Sequence, residues 1–205
     1  MIFLVFSPRT LLSSLIIALV LFLFSPYSQA AADTGSANGP LPSDRTLILI
    51  KKSTQTLSII QGGKPIHSYR CAFGVNPNGD KEQLGDNKTP EGHFYVTDKS
   101  TLDNHPYLGK KWLGISYPDV AHAETGLKQA LIDMYQYQSI LRANERGSMP
   151  PQNTALGGWI GIHGGRDELT KTGVNWTEGC IALLEKDLDE LYSLIDTGTE
   201  IIITR

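Results

Sequence analysis

The sequence is poor in the features that would settle its class at once. It has two cysteines in 205 residues, Cys71 and Cys180, too few for the disulfide framework of a small secreted scaffold. It has no H-E-x-x-H run and no paired cysteine spacing, so a zinc site is not expected. It has no dense block of Lys and Arg. Apart from Arg9, 17 basic residues face 21 acidic ones, which argues against nucleic acid as a partner. No internal repeat is present, which excludes solenoids and propellers.

What is there begins with an address. Arg9 supplies a positive charge, Leu11 to Phe24 is an apolar run broken only by Ser13 and Ser14, and Pro26 is followed by the small residues Ser28, Ala30, Ala31 and Ala32. A charged start, an apolar middle and a small-residue cleavage region read as a secretory signal over residues 1–32. The run is short for a membrane span, which needs roughly 20 apolar residues. An uncleaved anchor that also uses the earlier apolar residues is the rival reading. The expected location is therefore the periplasm or cell envelope. Residues 33–43 are rich in Ala, Gly, Ser and Pro and read as a flexible linker. Residues 44–205 have the length of one domain and can hold a core without disulfides or metal.

Within that domain, Thr46 to Lys51 and Thr56 to Ile60 are short β-rich runs. Gln61-Gly62-Gly63-Lys64 reads as a hairpin turn leading to a third strand, Pro65 to Val75. Asn76 to Glu91 is dense in Asn, Asp, Gly and Pro and reads as a surface loop. Gly92 to Thr97 and Lys111 to Ser116 are further strands. Val120 to Arg146 has apolar spacings of three and four and reads as helix in two pieces, packed beside the sheet. Trp159 to Gly164 is a strand, Gly165 to Glu178 a polar loop, and Gly179 to Leu183 a strand. Glu185 to Ile195 is an amphipathic helix with acidic first turns. Glu200 to Thr204 closes the chain. The pattern predicts an α+β, mainly β fold, sandwich-like, with a helical insertion and a C-terminal helix.

Chemistry points to two residues. His163 ends one strand and Cys180 opens another, so on neighbouring strands both would face one cleft. A thiol needs deprotonation to act, and an imidazole can supply the base. Gly164, Gly165 and Gly179 are expected to let a substrate backbone approach. The N–H groups of Gly179 and Cys180 are expected to face a developing oxyanion. Cys71 sits in an alternating apolar segment and reads as a buried, unpaired thiol. On spacing alone, a Cys and a His in one domain are a modest signal.

The segments IHGG (162–165) and TEGCIAL (177–183) resemble the signature of the L,D-transpeptidase (YkuD) family. The stretches GDNKTPEGHFYVT (85–97), TLILIKKSTQTLSIIQGGKPI (46–66) and LGISYP (113–118) resemble further segments of it, in order. The resemblance implies Cys180 as nucleophile and His163 as general base, with Gly164 and Gly179 supporting the turns. It implies Thr177 as a residue whose backbone carbonyl orients the imidazole. It implies attack on the third residue of a peptidoglycan stem, transfer to an amine, and no metal or organic cofactor. The sequence departs from the family's common pattern at Ala182, where Arg is usual, and at Glu178, where His is frequent. The GCIAL form resembles a branch that includes an enzyme detaching lipoprotein from the wall. Transfer, hydrolysis (an L,D-carboxypeptidase or a lipoprotein–peptidoglycan amidase) and a non-catalytic wall-binding module all stay open. A wall-attached lipoprotein is a further candidate partner.

Among the other residues, Trp176 and Arg166 are candidates for substrate contact. Trp112 and Trp159 read as core. Lys81 and Lys88 read as solvated loop charges. His67, His105 and His122 read as surface residues, and His93 as packing at a strand edge.

Overall fold

The computed structural model describes residues 45–205. The expected signal segment and linker lie outside the described residues. Among those described, eight strands form one closed sheet, in the order β1-β2-β3-β7-β6-β5-β4-β8. The strands are β1 (Thr46–Lys51), β2 (Thr56–Gln61), β3 (Lys64–Ala72), β4 (Gly92–His105), β5 (Gly109–Ile115), β6 (Gly161–His163), β7 (Ile181–Leu183) and β8 (Glu200–Thr204). All neighbours are antiparallel except β1 with β8 and β6 with β7.

The alternation read in the sequence is what buries the core. Ile48, Ile50, Leu57, Ile59, Ile201 and Ile203 all point inward from β1, β2 and β8, as a period of two requires. The Gly62-Gly63 turn between β2 and β3 has both residues at positive φ, 56° and 76°, which a tight two-residue hairpin demands.

The sandwich-like arrangement expected from the sequence gives way to a closed barrel. The long strands β3 and β4 cause this. β3 pairs with β2 along most of its length and with β7 through Cys71 and Ala72. β4 pairs with β8 over Gly92–Tyr95 and with β5 beyond. Each therefore passes from one neighbour to another, and no edge is left open. β4 also runs eight residues past its expected end at Thr97. Its second half is polar on both faces and is held by the pairing with β5 rather than by burial.

The insertion between β5 and β6 holds two helices, α1 (Val120–Lys128) and α2 (Met134–Glu145). Asp119 caps α1, and Asp133 with Gln136 forms a capping box on α2. Ala123, Ile132, Ile140 and Leu156 form a small core of their own there. Residues Asp167–Thr172, expected as loop, form a short helix α3. Its turns are closed by Gly173 at φ 80°, a stop signal that the polar sequence masked. The C-terminal helix α4 (Glu185–Leu194) packs Leu188 and Leu191 into the barrel core.

Candidate active site

β6 and β7 lie side by side and parallel, with Ile162 beside Ile181 and His163 beside Ala182. Ile162 and Ile181 face the core. Alternation therefore turns His163 and Ala182 to the opposite face, and Cys180 immediately precedes β7. Both cysteines are free thiols; Cys71 is buried in the barrel core, and Cys180 is partly exposed.

The imidazole of His163 is fully buried. Trp112 stacks on it at 6.2 Å, and Trp176 meets it edge-on at 5.5 Å. Nδ1 lies 2.8 Å from the Gly164 carbonyl oxygen, which can only accept, so Nδ1 carries the proton and Nε2 the lone pair. Nε2 has no protein partner. Burial pushes the imidazole down to about 4, so it is neutral at pH 7. Burial also pushes the Cys180 thiol up to about 11, and Glu178 adds to the rise, while the Gly161 N–H and the Lys81 charge oppose it. The thiol donates to the Trp159 carbonyl at 3.5 Å. The resting pair is therefore thiol and imidazole, each neutral.

Cys180 opens on a cavity of about 600 Å³. One wall is the 76–91 loop, through Lys81, Leu84 and Asn87. The facing walls come from β4, from Tyr107 and Trp112, and from the Gly157–Ile160 segment. This is the size of a small-ligand cleft. Trp159, expected in the core, is 62% exposed and held at φ 54°; its N–H is fixed by Gln152 Oε1. Trp112, also expected in the core, lines the cavity and covers His163. An apolar cleft wall and a core position look alike in sequence.

Several other assignments change. Trp176, expected in the cleft, is buried, donates from Nε1 to Thr170 Oγ1 at 3.1 Å and packs with Ala72 and Ala182. Arg166 lies over the Trp176 ring at 5.7 Å, away from the cavity lining. Trp176 thus packs directly against the position where the family commonly carries Arg. The carbonyl on the imidazole is that of Gly164, not Thr177. The Thr177 carbonyl accepts from Val75 N–H at 2.9 Å, and its hydroxyl bridges Gly179 N–H and the Cys180 carbonyl at 3.2 and 2.7 Å. Gly179 N–H is thereby occupied by the Thr177 hydroxyl. The same glycines are also required by the packing around them. A Cβ on Gly164 would overlap Glu185, one on Gly165 the Tyr107 carbonyl, and one on Gly179 the Lys88 carbonyl.

Two charges expected on the surface are buried. Lys81 donates to Asp86 Oδ1 at 2.7 Å and to the Gln83 carbonyl at 3.0 Å. His122 is held by Asp119 at 2.6 Å and Asp80 at 3.1 Å, which raise it to about 9 against the effect of burial. His93 is exposed on β4 rather than packed. His67 is half-buried beside Glu190, 3.1 Å away. His105 is exposed and accepts from the N–H groups of Tyr107 and Leu108. Lys88 pairs with Glu82 at 2.9 Å.

Residues 45–203 match the family described as YkuD, L,D-transpeptidase catalytic domain. Among solved structures, the helical cell shape determining protein Pgp2 of Campylobacter jejuni is 21% identical with a TM-score of 0.52, over 78% of this chain and 48% of that one. Its K307A mutant is 21% identical with a TM-score of 0.53, over 80% and 48%. An L,D-transpeptidase of Xylanimonas cellulosilytica is 16% identical with a TM-score of 0.46, over 88% and 70%. The chain spans about half the length of the Pgp2 structures. No curated protein matches it. With the family matched over nearly the whole described domain, the chain belongs to the L,D-transpeptidase catalytic-domain family.

Proposed function

We propose that this protein is a cysteine-dependent L,D-transpeptidase acting on peptidoglycan stem peptides in the cell envelope. The observation that carries the reading is the placement of His163 at the end of β6 and of Cys180 immediately before the adjacent β7, with the sulfur open to the cleft whose wall Trp112 stacks on the imidazole, and Nε2 unpartnered. Cys180 Sγ leaves the Trp159 carbonyl and gives its proton to His163 Nε2. Such hydrogen bonds are often formed only once substrate is bound. The sulfur attacks the carbonyl of the third stem residue, and the Cys180 N–H faces the oxyanion. The imidazolium then protonates the departing amine of the terminal D-amino acid, leaving a thioester on Cys180. An acceptor amine attacks the thioester and gives a new amide with the thiol restored. Water in place of the amine gives hydrolysis by the same steps.

The shifts of both groups toward their neutral forms support this order of events. A neutral imidazole is a base in waiting, and a thiol kept protonated is not exposed to idle oxidation. Proton transfer within the cleft once substrate is bound replaces a preformed ion pair.

The test is mass analysis of the protein with a carbapenem and, separately, with defined muropeptides. The expected result is an adduct on Cys180 and exchange or loss of the terminal D-residue. Cys180→Ala abolishes both, and His163→Ala lowers the rate about 10²–10⁴-fold. Turnover that survives Cys180→Ala would overturn the reading, and so would tight wall binding with neither adduct nor turnover. Products with a joined amine rather than a free carboxylate separate transfer from hydrolysis.

A further inference from the structure

The imidazole of His163 does not end its hydrogen bonding at the Gly164 carbonyl. That carbonyl belongs to the peptide unit whose N–H is that of Gly165, and Gly165 N–H donates to Glu185 Oε1 at 3.0 Å. A peptide unit is planar and trans, so its C=O and N–H point in opposite directions. The line therefore runs from imidazole Nδ1–H to the Gly164 oxygen, through one amide, and from Gly165 N–H to a carboxylate. We propose that Glu185 is a positioning residue for His163, acting through the Gly164–Gly165 peptide. This rests on the reading of His163 as the general base.

The physical effect has two parts. A carboxylate on the N–H end polarises the amide and makes its carbonyl a stronger acceptor, as coupled hydrogen bonds do. The ring is then held in the tautomer that leaves Nε2 as base. When Nε2 takes the thiol proton, the imidazolium is stabilised by the same chain. A carboxylate bound directly to the imidazole does this in the Ser-His-Asp arrangement; here one amide lies between.

The local architecture is built around this carboxylate. Glu185 is the first residue of α4, where the helix dipole favours a negative charge. Its own N–H is fixed by Asp167 Oδ1 at 2.9 Å. Gly164 and Gly109 are glycines where any Cβ would overlap the Glu185 side chain. The second oxygen, Oε2, is buried with no protein partner. A side chain serving stability alone would be expected to have that oxygen satisfied or replaced.

The deciding experiment is NMR of the His163 ring in the free protein, with kinetics on muropeptides beside it. Glu185→Gln keeps the shape and the acceptor but removes the charge. The expected result is an upfield shift and faster exchange of the His163 Nδ1–H signal, and a fall in kcat of about tenfold with KM unchanged. Glu185→Ala removes the acceptor and is expected to mix the two tautomers. Should that variant not fold, Glu185→Gln decides alone. An unmoved Nδ1–H signal in Glu185→Gln overturns the proposal, even if the melting temperature drops. The ring signal needs no turnover, so an inactive wild-type protein would sink the enzymatic reading without touching this result.

Discussion

Cys180 and His163 divide one proton between two groups that both resist charge. The thiol is raised to about 11 and the imidazole lowered to about 4, with desolvation the leading cause in each. The reactivity of the resting sulfur should follow its own ionisation. Alkylation of Cys180 by iodoacetamide, located by peptide mapping, is expected to climb steadily from pH 7 through pH 10 with no plateau near neutrality. A preformed thiolate–imidazolium pair would give a flat profile from about pH 5 upward, and that outcome would contradict the neutral pair. Cys71 serves as the internal control, since it is fully buried and burial raises its thiol still further.

At the scale of elements, the 76–91 loop is as ordered by hydrogen bonds as a strand. Asp86 accepts from Lys81 Nζ and from the N–H groups of Glu82, Gln83 and Lys88, all within 3.0 Å. Asp80 accepts from the N–H groups of Lys81 and Glu91, both at 2.7 Å. Lys52 reaches up from the turn after β1 to bind the carbonyls of Gly79 and Thr89 and the Glu91 carboxylate. Asp86→Ala removes the acceptor of three N–H groups and the carboxylate partner of Lys81, whose Nζ keeps the Gln83 carbonyl. It should cost about 1–3 kcal/mol, expressed locally. Hydrogen exchange at residues 82, 83 and 88 is expected to accelerate while the amides of β1 and β8 stay protected. Uniform acceleration across the barrel would mean that the loop is part of the global fold instead. The sequence displayed this loop only as a run of turn formers. The hairpin glycines, α4 and β8 were legible because their signals are local: periodicity, a stop residue, a two-residue turn. The burial of Lys81 and His122 was not, since His122 and Asp80 stand 42 positions apart. Nor was the role of Glu185, whose partner is a backbone amide with no side chain to read. Cys180 and His163 were singled out by the IHGG and TEGCIAL segments and their resemblance to the family signature, since a Cys and a His at that spacing are by themselves a modest signal. Trp112 and Trp159 misled because a cleft wall is as apolar as a core.

For the whole molecule, two buried histidines set opposite edges of one stability curve. His163 titrates near 4 folded, against an ordinary 6.5. Between those values the unfolded chain binds more protons, so stability rises with pH and is lost as pH falls. His122 titrates near 9 folded, against 6.5. Here the folded chain binds more protons, so its contribution is complete below 6.5 and is lost as pH rises through 9. Each shift is worth about 3 kcal/mol. The buried thiol and phenols, pushed up by burial from their ordinary 9.0 and 10.0, contribute only above that window. Asp80 and Asp86, held below 3.8, contribute only under it. The urea midpoint plotted against pH should therefore peak between about 6 and 7. His122→Gln should flatten the limb from 6.5 to 9 at a lower plateau, and His163→Asn should flatten the limb from 6.5 to 4. If His122→Gln left the alkaline limb intact, the imidazole would not be doubly protonated between Asp80 and Asp119, and the tie between the loop and the helical insertion would have to be a neutral one.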